Sequence, residues 1–461
     1  MSTIFLGIDV SKGYGDFAFI NESGGILRHC RFDDTEQGHS SLFEVLAELS
    51  DEKFVQRFIV GIESSGGLER NWIGFFRKYA STFKIQLNRL NPFAVKRFLD
   101  GDLHRGVTDK SSSIGIAQYL RKGLFHAGDF DDEMDGLRTL YRVVRRQIAQ
   151  SSELRNELQS LLPVVHPELV RYCRFGIRKW TLELLCRYPT VSFLSRIDPS
   201  ELAGIVFLRA GRAESVVDSA RASVASQLDD NTGDTVVFLA GEILRRDKQI
   251  KMYKKKICSN LSNDETFRIL NSIPGIGIWS AACIRLEIGR IERFHSPEAL
   301  VAYAGLDPRT RQSGDSMVNC GISRRGRKQI RQILYPVILA SLHYNPVISS
   351  FYSRLRGSGK KHLVAAVACM NKILHIAYGC MISRQMFDKE RYFEVYQRYN
   401  EEKMKRRSER RAMVSNLSIT APVSKREAGK RRAAAMPQCG KTAQVRGQAA
   451  ATVLYNNRGR E

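Results

Sequence analysis

The run Ile4-Phe5-Leu6-Gly7-Ile8-Asp9-Val10-Ser11-Lys12, continued by Asp16-Phe17-Ala18-Phe19-Ile20, decides the fold. An apolar run carries one carboxylate near its end, and a tight turn and a second apolar run follow. Gly24-Gly25 then turns the chain into a third strand, Ile26 to Phe32. An unpaired carboxylate among apolar residues is costly, so Asp9 either caps the Ser11-Lys12 turn or meets a hydrogen-bond partner or a metal. A second strand of the same kind favours the metal. Arg57-Phe58-Ile59-Val60-Gly61-Ile62-Glu63 also ends in an acid and runs into the loop Ser64-Ser65-Gly66-Gly67.

Two core strands that deliver acids at their ends are how ribonuclease H-type folds assemble a divalent-metal site, and the element order agrees. Three strands come first. A helix from Glu36 to Leu49, the Glu63 strand, a helix from Leu68 to Tyr79, a strand from Phe83 to Leu87 and a short helix from Phe93 to Leu99 follow. Thr108 or Asp109 is placed to N-cap the next helix, with Ile114, Ala117 and Leu120 on its buried face. Asp109 in that first turn either faces the other two acids or simply caps the helix.

The chain has 461 residues and a formal net charge of +24, which makes a polyanion the expected partner. No run of about twenty apolar residues and no signal pattern is read, so no membrane is expected. The nine cysteines are scattered without a C-x-x-C pair, which argues against a disulfide framework or cysteine zinc site and fits a reducing, cytoplasmic setting.

Past an acidic linker, Asp129 to Glu133, apolar residues from Leu137 to Leu162 recur at three- and four-residue spacings, with Arg138, Arg142, Arg145 and Arg146 between them. This reads as a coiled-coil pair or helical hairpin ended by Pro163 and Pro167. Further helices are expected over Lys179 to Tyr188, Pro199 to Arg209 and about Val236 to Leu261. Ile273-Pro274-Gly275-Ile276-Gly277, between apolar helical stretches, fits a helix-hairpin-helix. Its glycines, Gly275 and Gly277, would let backbone N–H groups approach a phosphate, although an ordinary interhelical turn has the same pattern. Ser296 and Pro297 open another helix as N-cap and first residue. Ser313 falls in a short loop among Arg309, Arg311, Arg324, Arg325 and Arg327. A serine among arginines suits attack on a phosphodiester, because the cations offset developing charge; a turn serine is the plain alternative. After residue 400 the basic residues exceed the acidic ones by about ten, and this segment reads as a helix fading into a disordered nucleic-acid-binding tail.

These pieces, taken in order, resemble the DEDD-type insertion-sequence transposases, which include bridge-RNA-guided serine recombinases and the related Piv DNA invertases. The resemblance runs through G-I-D-V-S-K (Gly7 to Lys12), I-E-S-S-G (Ile62 to Gly66), N-P-F-A-V-K-R-F (Asn91 to Phe98) and T-D followed by I-A-x-Y (Thr108 to Tyr119). It continues through L-R-T-L-Y-R, H-P-E-L, R-Y-P-T and I-P-G-I-G, and closes with A-Y-A-G-L-D-P, Q-S-G and G-I-S-R-R-G (Gly321 to Gly326).

Four segments are expected. Three of them, a RuvC-like α/β domain (1–128), a helical coiled-coil region (134–262) and a mainly α transposase domain (265–385) with the helix-hairpin-helix, come from the resemblance. The fourth, the basic tail (386–461), is read from its charge alone and from about residue 400 lies outside the resemblance. The resemblance also implies Mg²⁺ or Mn²⁺ on Asp9, Glu63 and Asp109, Ser313 as nucleophile, DNA and a guide RNA as partners, and a dimer or tetramer. At one place the chain departs from the pattern. The fourth acid expected three residues after Asp109 is Ser112, and the lysine before the T-D is Val107. A hydroxyl is a weaker cation ligand than a carboxylate, so either Asp100 or Asp102 compensates or this copy is impaired. A nucleic-acid-binding protein without catalysis and a junction-resolving nuclease are the competing readings.

Overall fold

The computed structural model describes residues 2–52, 55–101, 108–123, 134–206, 208–226, 229–313, 316–415 and 432. Two compact units are built from it: Met1–Asn260 with Arg285–His295, and Leu261–Ile284 with the chain from Ser296 onward.

The first unit opens with β1 (Ser2–Ser11), β2 (Tyr14–Ile20) and β3 (Ile26–Asp33), a meander turning at Gly13, whose φ of 90° suits a residue without Cβ. Helix α1 (Glu36–Glu52), strand β4 (Val55–Glu63), helix α2 (Arg70–Lys78), strand β5 (Ile85–Leu90), α3 (Pro92–Gly101) and α4 (Asp109–Arg121) follow. The strand order is β3-β2-β1-β4-β5. The meander is antiparallel, whereas β1–β4 and β4–β5 are parallel, so the mixed α/β sheet has the ribonuclease H, or RuvC-like, arrangement.

Strand alternation sorts the two faces. Ile4, Leu6, Ile8, Phe58, Val60 and Ile62 bury one face under Leu42, Leu46, Trp72 and Phe76 of α1 and α2. Phe5 and Ile59 face the other way, against Ile116, Ala117 and Leu120 of α4. A Cβ on Gly7 would lie 2.2 Å from the Ser113 carbonyl oxygen and 2.3 Å from the Ala117 nitrogen, so only glycine lets α4 sit this close. Ile114 was expected on that buried face; it is half-buried, and Ser113 and Ile116 take its place.

Helices α5 (Asp135–Val165) and α9 (Asp230–Asn260) lie side by side, linked by Arg246 to Gln147 and Gln150 and by Asp247 to Ser151 and Arg155. Between them in sequence, α6 (Lys179–Arg187), α7 (Val191–Leu194), α8 (Ala210–Arg221) and three-residue-per-turn segments fill a common core around Leu158, Leu162, Leu184 and Leu239. Three expectations change here. Pro163 does not end α5, which continues through it to Val165; a proline removes one N–H there without stopping the last turn. Only Pro199–Gly204 is helical in the stretch expected to reach Arg209. Helix α9 begins at Asp230, earlier than its apolar spacing indicated.

The second unit holds α10 (Glu265–Ser272), the start of α11 (Ile278–Ile288), α12 (Pro297–Ala304), the hairpin β6 (Pro308–Ser313) and β7 (Ser316–Ile322), and α13 (Lys328–Tyr344). After these come α14 (Pro346–Gly357), α15 (His362–Ser383) and α16 (Lys389–Ser415). Ser296 caps α12 as expected, accepting from the Ala299 N–H at 3.2 Å. Helix α15 is long and apolar enough to cross a membrane, with a mean hydropathy of 1.5, a feature passed over in the sequence. Ala365, Cys369, Ile373 and Ala377 are buried in this unit, where α10, α12, α13 and α14 pack against it as a core helix. Residues 416–431 and 433–461 of the expected tail lie outside the described residues.

Candidate active site

In the first unit the parallel register pairs Ile8 with Ile62, which brings Asp9 and Glu63, one step further along each strand, side by side. Both share the strand parity of Gly7 and Gly61, so they point to the α4 face at the carboxyl end of the sheet. Burial, aided by the neighbouring Asp9 charge, pushes the Glu63 carboxyl up to about 7. Two half-buried carboxylates that repel one another are a donor set suited to a hard divalent cation.

The strand end is braced behind the acids. Glu69 is fully buried, and it accepts from the Gly67 N–H at 2.8 Å and the Ser65 hydroxyl at 3.2 Å. The Arg89 guanidinium completes its set of partners. Glu69 thereby holds the loop that Glu63 leads into.

Helix α4 opens with Asp109 behind a capping box in which Thr108 and Ser111 exchange bonds. The Asp109 backbone is placed at that end, but its side chain lies outside the described residues. Ser112 is half-buried in the same first turn. Asp100 is exposed on α3, and Asp102 and Val107 fall outside the described residues. Among the described residues no group of three or more His, Cys, Asp or Glu side chains is arranged to hold a metal.

One acid was missed in the sequence. Asp16 on β2 is the cross-strand partner of Asp9 and is 2% exposed. Arg31 holds it with Nη2 2.9 Å from Oδ2, and His29 Nε2 lies 3.6 Å from Oδ1. Burial also lowers the His29 pKa, which Asp16 counteracts. The signal was available: antiparallel pairing through the Lys12-Gly13 turn places residue 16 opposite residue 9.

In the second unit, Ser313 is not in a loop. It closes β6, with Ser316 as its cross-strand partner. Its side chain, like that of Arg311, lies outside the described residues, as does Gly314. Strands of such polar composition lack the apolar alternation by which a strand is recognised.

The hairpin base is fastened by Asp307, whose carboxylate accepts from the Ser323 hydroxyl and whose carbonyl accepts from the Ser323 N–H at 2.9 Å. Arg324 then adopts a left-handed φ of 56°. The chain returns under α12, where Arg327 donates to the Tyr303 hydroxyl at 3.0 Å and Arg331 to the Ala304 carbonyl at 2.7 Å. A shallow pocket of about 580 Å³ lies over this turn, lined by Arg324, Lys328, Arg331, Gln332 and Tyr335. Arg309 and Arg325 are exposed. Of the expected phosphate-facing arginines, Arg327 therefore also has a structural bond.

The two glycines of the P-G-I-G turn have different surroundings. Gly275, with φ 98°, has its open side filled by α13: a Cβ there would meet Ser341 Oγ at 2.0 Å. Both its φ and this packing require glycine there. Gly277 is exposed at the start of α11 with nothing within 4 Å of its Cβ position.

A family model described as "Transposase IS116/IS110/IS902 family" matches residues 267–353, and a second, the IS110 DEDD transposase model, matches residues 6–167. The chain belongs to the IS110 family of transposases. A mini-circle protein from Streptomyces coelicolor, named as a transposase for IS117, is 27% identical over 85% of this chain and 97% of its own length. An IS116 protein from Streptomyces clavuligerus is 22% identical over 83% of this chain and 96% of its own. The pilin gene-inverting protein of Moraxella bovis is 34% identical over 26% of this chain and 38% of its own. The solved structure of T. thermophilus RuvC with a Holliday junction substrate, 14% identical, covers 27% of this chain and 97% of that chain. Its TM-score of 0.21 makes it too partial a likeness to add to the strand order already traced. For this IS110-family transposase the activity class is thus DNA transposition and recombination.

Proposed function

We propose that this transposase cuts and rejoins DNA with Asp9, Glu63 and Asp109 as ligands of Mg²⁺ or Mn²⁺ and Ser313 as nucleophile. The observation that carries the reading is the Asp9–Glu63 pair, in which burial, aided by repulsion from Asp9, raises the Glu63 pKa to about 7. A bound divalent ion would supply positive charge against both the acids and the scissile phosphodiester. In the strand exchange, the Ser313 oxygen bonds to phosphorus as one strand P–O ester bond breaks. The serine proton passes, overall, to the departing strand's oxygen, and the reverse reaction reseals the DNA. Arg309, Arg311, Arg324 and Arg325 stand in sequence where they offset the phosphate charge.

Under the same reading a guide RNA selects the DNA partners and the chain works as a dimer or tetramer; the family resemblance and the +24 charge support this. A second reading, a copy with weakened catalysis, is favoured by Ser112, which puts a hydroxyl where the family pattern has an acid. Thermal melting during Mg²⁺ titration tests the metal half of the proposal. Wild type should melt higher as Mg²⁺ is added, and Asp9→Ala should lose that shift. An unchanged shift in Asp9→Ala places the ion elsewhere.

A further inference from the structure

The helical part of the first unit carries a feature that neither the acids nor Ser313 use. Phe175 is 98% exposed at the tip of a tight turn. The turn is not loose: the Gly176 N–H donates to the Cys173 carbonyl at 2.9 Å, with Arg174 and Phe175 at its centre. Cys173 and Ile177 on either side are buried. Arg155 of α5 bonds the Ile177 carbonyl at 2.8 Å and pairs with Asp247 of α9, so the turn is tied to both long helices. The core thus takes the neighbours of Phe175 and leaves its ring in water.

The surroundings are cationic. Arg174 and Arg178 are exposed and form no ion pair among the described residues. Arg171 stacks over the Tyr172 ring at 4.7 Å, and Arg212 lies 6.0 Å from the same ring and 5.8 Å from that of Trp180. The carboxylates nearest in sequence are engaged: Glu168 by the Ser223 hydroxyl at 2.7 Å, Glu183 by Lys179 at 3.1 Å. An apolar protein partner would bring these guanidinium groups out of water without compensation. An unpaired nucleotide satisfies both features, because its base has a face to stack and its phosphate a charge to neutralise.

We propose that Phe175 is a stacking platform for an unpaired DNA strand, with Arg171, Arg174 and Arg178 holding the backbone phosphates on either side. Strand exchange exposes such strands, and duplex DNA, with its bases already stacked, offers this ring no face.

The test uses the full chain and a single-stranded oligothymidine carrying one 2-aminopurine, whose fluorescence reports stacking. Wild type should quench it. Phe175→Ala should lose most of the quench and bind about tenfold more weakly, with Phe175→Trp retaining both and duplex binding unaltered. Arg174→Gln with Arg178→Gln should reduce the salt slope for single-stranded DNA by about 1.4. The proposal fails if Phe175→Ala binds and quenches as wild type does, or if it weakens duplex and single strand alike. It also fails if oligouridine responds more strongly than oligothymidine. A Phe175→Ala chain that changes only its oligomeric state in light scattering would make the ring a contact between copies and overturn it as well.

Discussion

Asp9 and Glu63 end adjacent parallel strands one residue beyond the Ile8–Ile62 pair, and burial, with the Asp9 charge beside it, pushes the Glu63 carboxyl up to about 7. Its folded pKa lies above the unfolded value near 4.5, so between those two pH values the folded chain binds more protons than the unfolded one. Stability without metal therefore falls as pH rises from about 4.5 to 7 and levels off above that. Glu63→Gln should flatten this decline and make the metal-free protein more stable at pH 8, by about 1–3 kcal/mol. Urea melts at pH 5 and pH 8 check it. A larger pH 5-to-8 loss in the variant than in wild type would contradict the assignment.

Gly7→Ala should cost about 2–3 kcal/mol, because the new methyl meets backbone of α4 rather than a movable side chain. It should also reduce Mg²⁺ affinity, since α4 carries Asp109. Gly61→Ala meets only the ends of Leu120 and Leu90, at 2.7 and 2.9 Å, and should cost less. Equal Tm losses in the two variants would mean that the α4 approach at Gly7 is not the tight one.

Removing Arg31 leaves Asp16 buried without its guanidinium. Arg31→Met should destabilise by about 2 kcal/mol, below the full cost of breaking a buried pair because Arg31 itself is half exposed. Adding Asp16→Asn should recover most of the loss, and a double-mutant cycle in urea measures the coupling. Additive losses would show that the pair is not coupled.

Ser112→Asp restores a fourth carboxylate in the first turn of α4, three residues from Asp109. Recombination should rise and half-maximal Mg²⁺ should fall. If Asp100→Asn and Asp102→Asn abolish activity in the wild-type background, one of those acids already compensates and Ser112→Asp should do little. Wild type as active as Ser112→Asp and indifferent to both Asn changes would mean three acids suffice, and the weakened-copy reading would end there.

The sheet was legible because its apolar runs are long, alternate with turns and end in Asp9 and Glu63. What registration adds was harder to see. Asp16 becomes visible as a neighbour of Asp9 only once the turn length fixes which residue lies opposite which. The hairpin carrying Ser313 escaped because Pro308–Ser313 is polar throughout, and its pairing is made by backbone bonds. The close approach of Ser341, on a helix far along the chain, to the Cβ position of Gly275 was likewise not visible. Such long-range packing leaves no local mark in sequence.

If Ser313 is the nucleophile, it becomes joined to DNA. A denaturing gel of the full-length protein with Mg²⁺ and a nicked or suicide copy of the element's own end measures it directly. Wild type should give a protein–DNA adduct that is absent from Ser313→Ala, although that variant should bind DNA with wild-type salt dependence because the neighbouring arginines carry the phosphate contacts. An adduct that persists in Ser313→Ala, through Ser323 or any other residue, would contradict it.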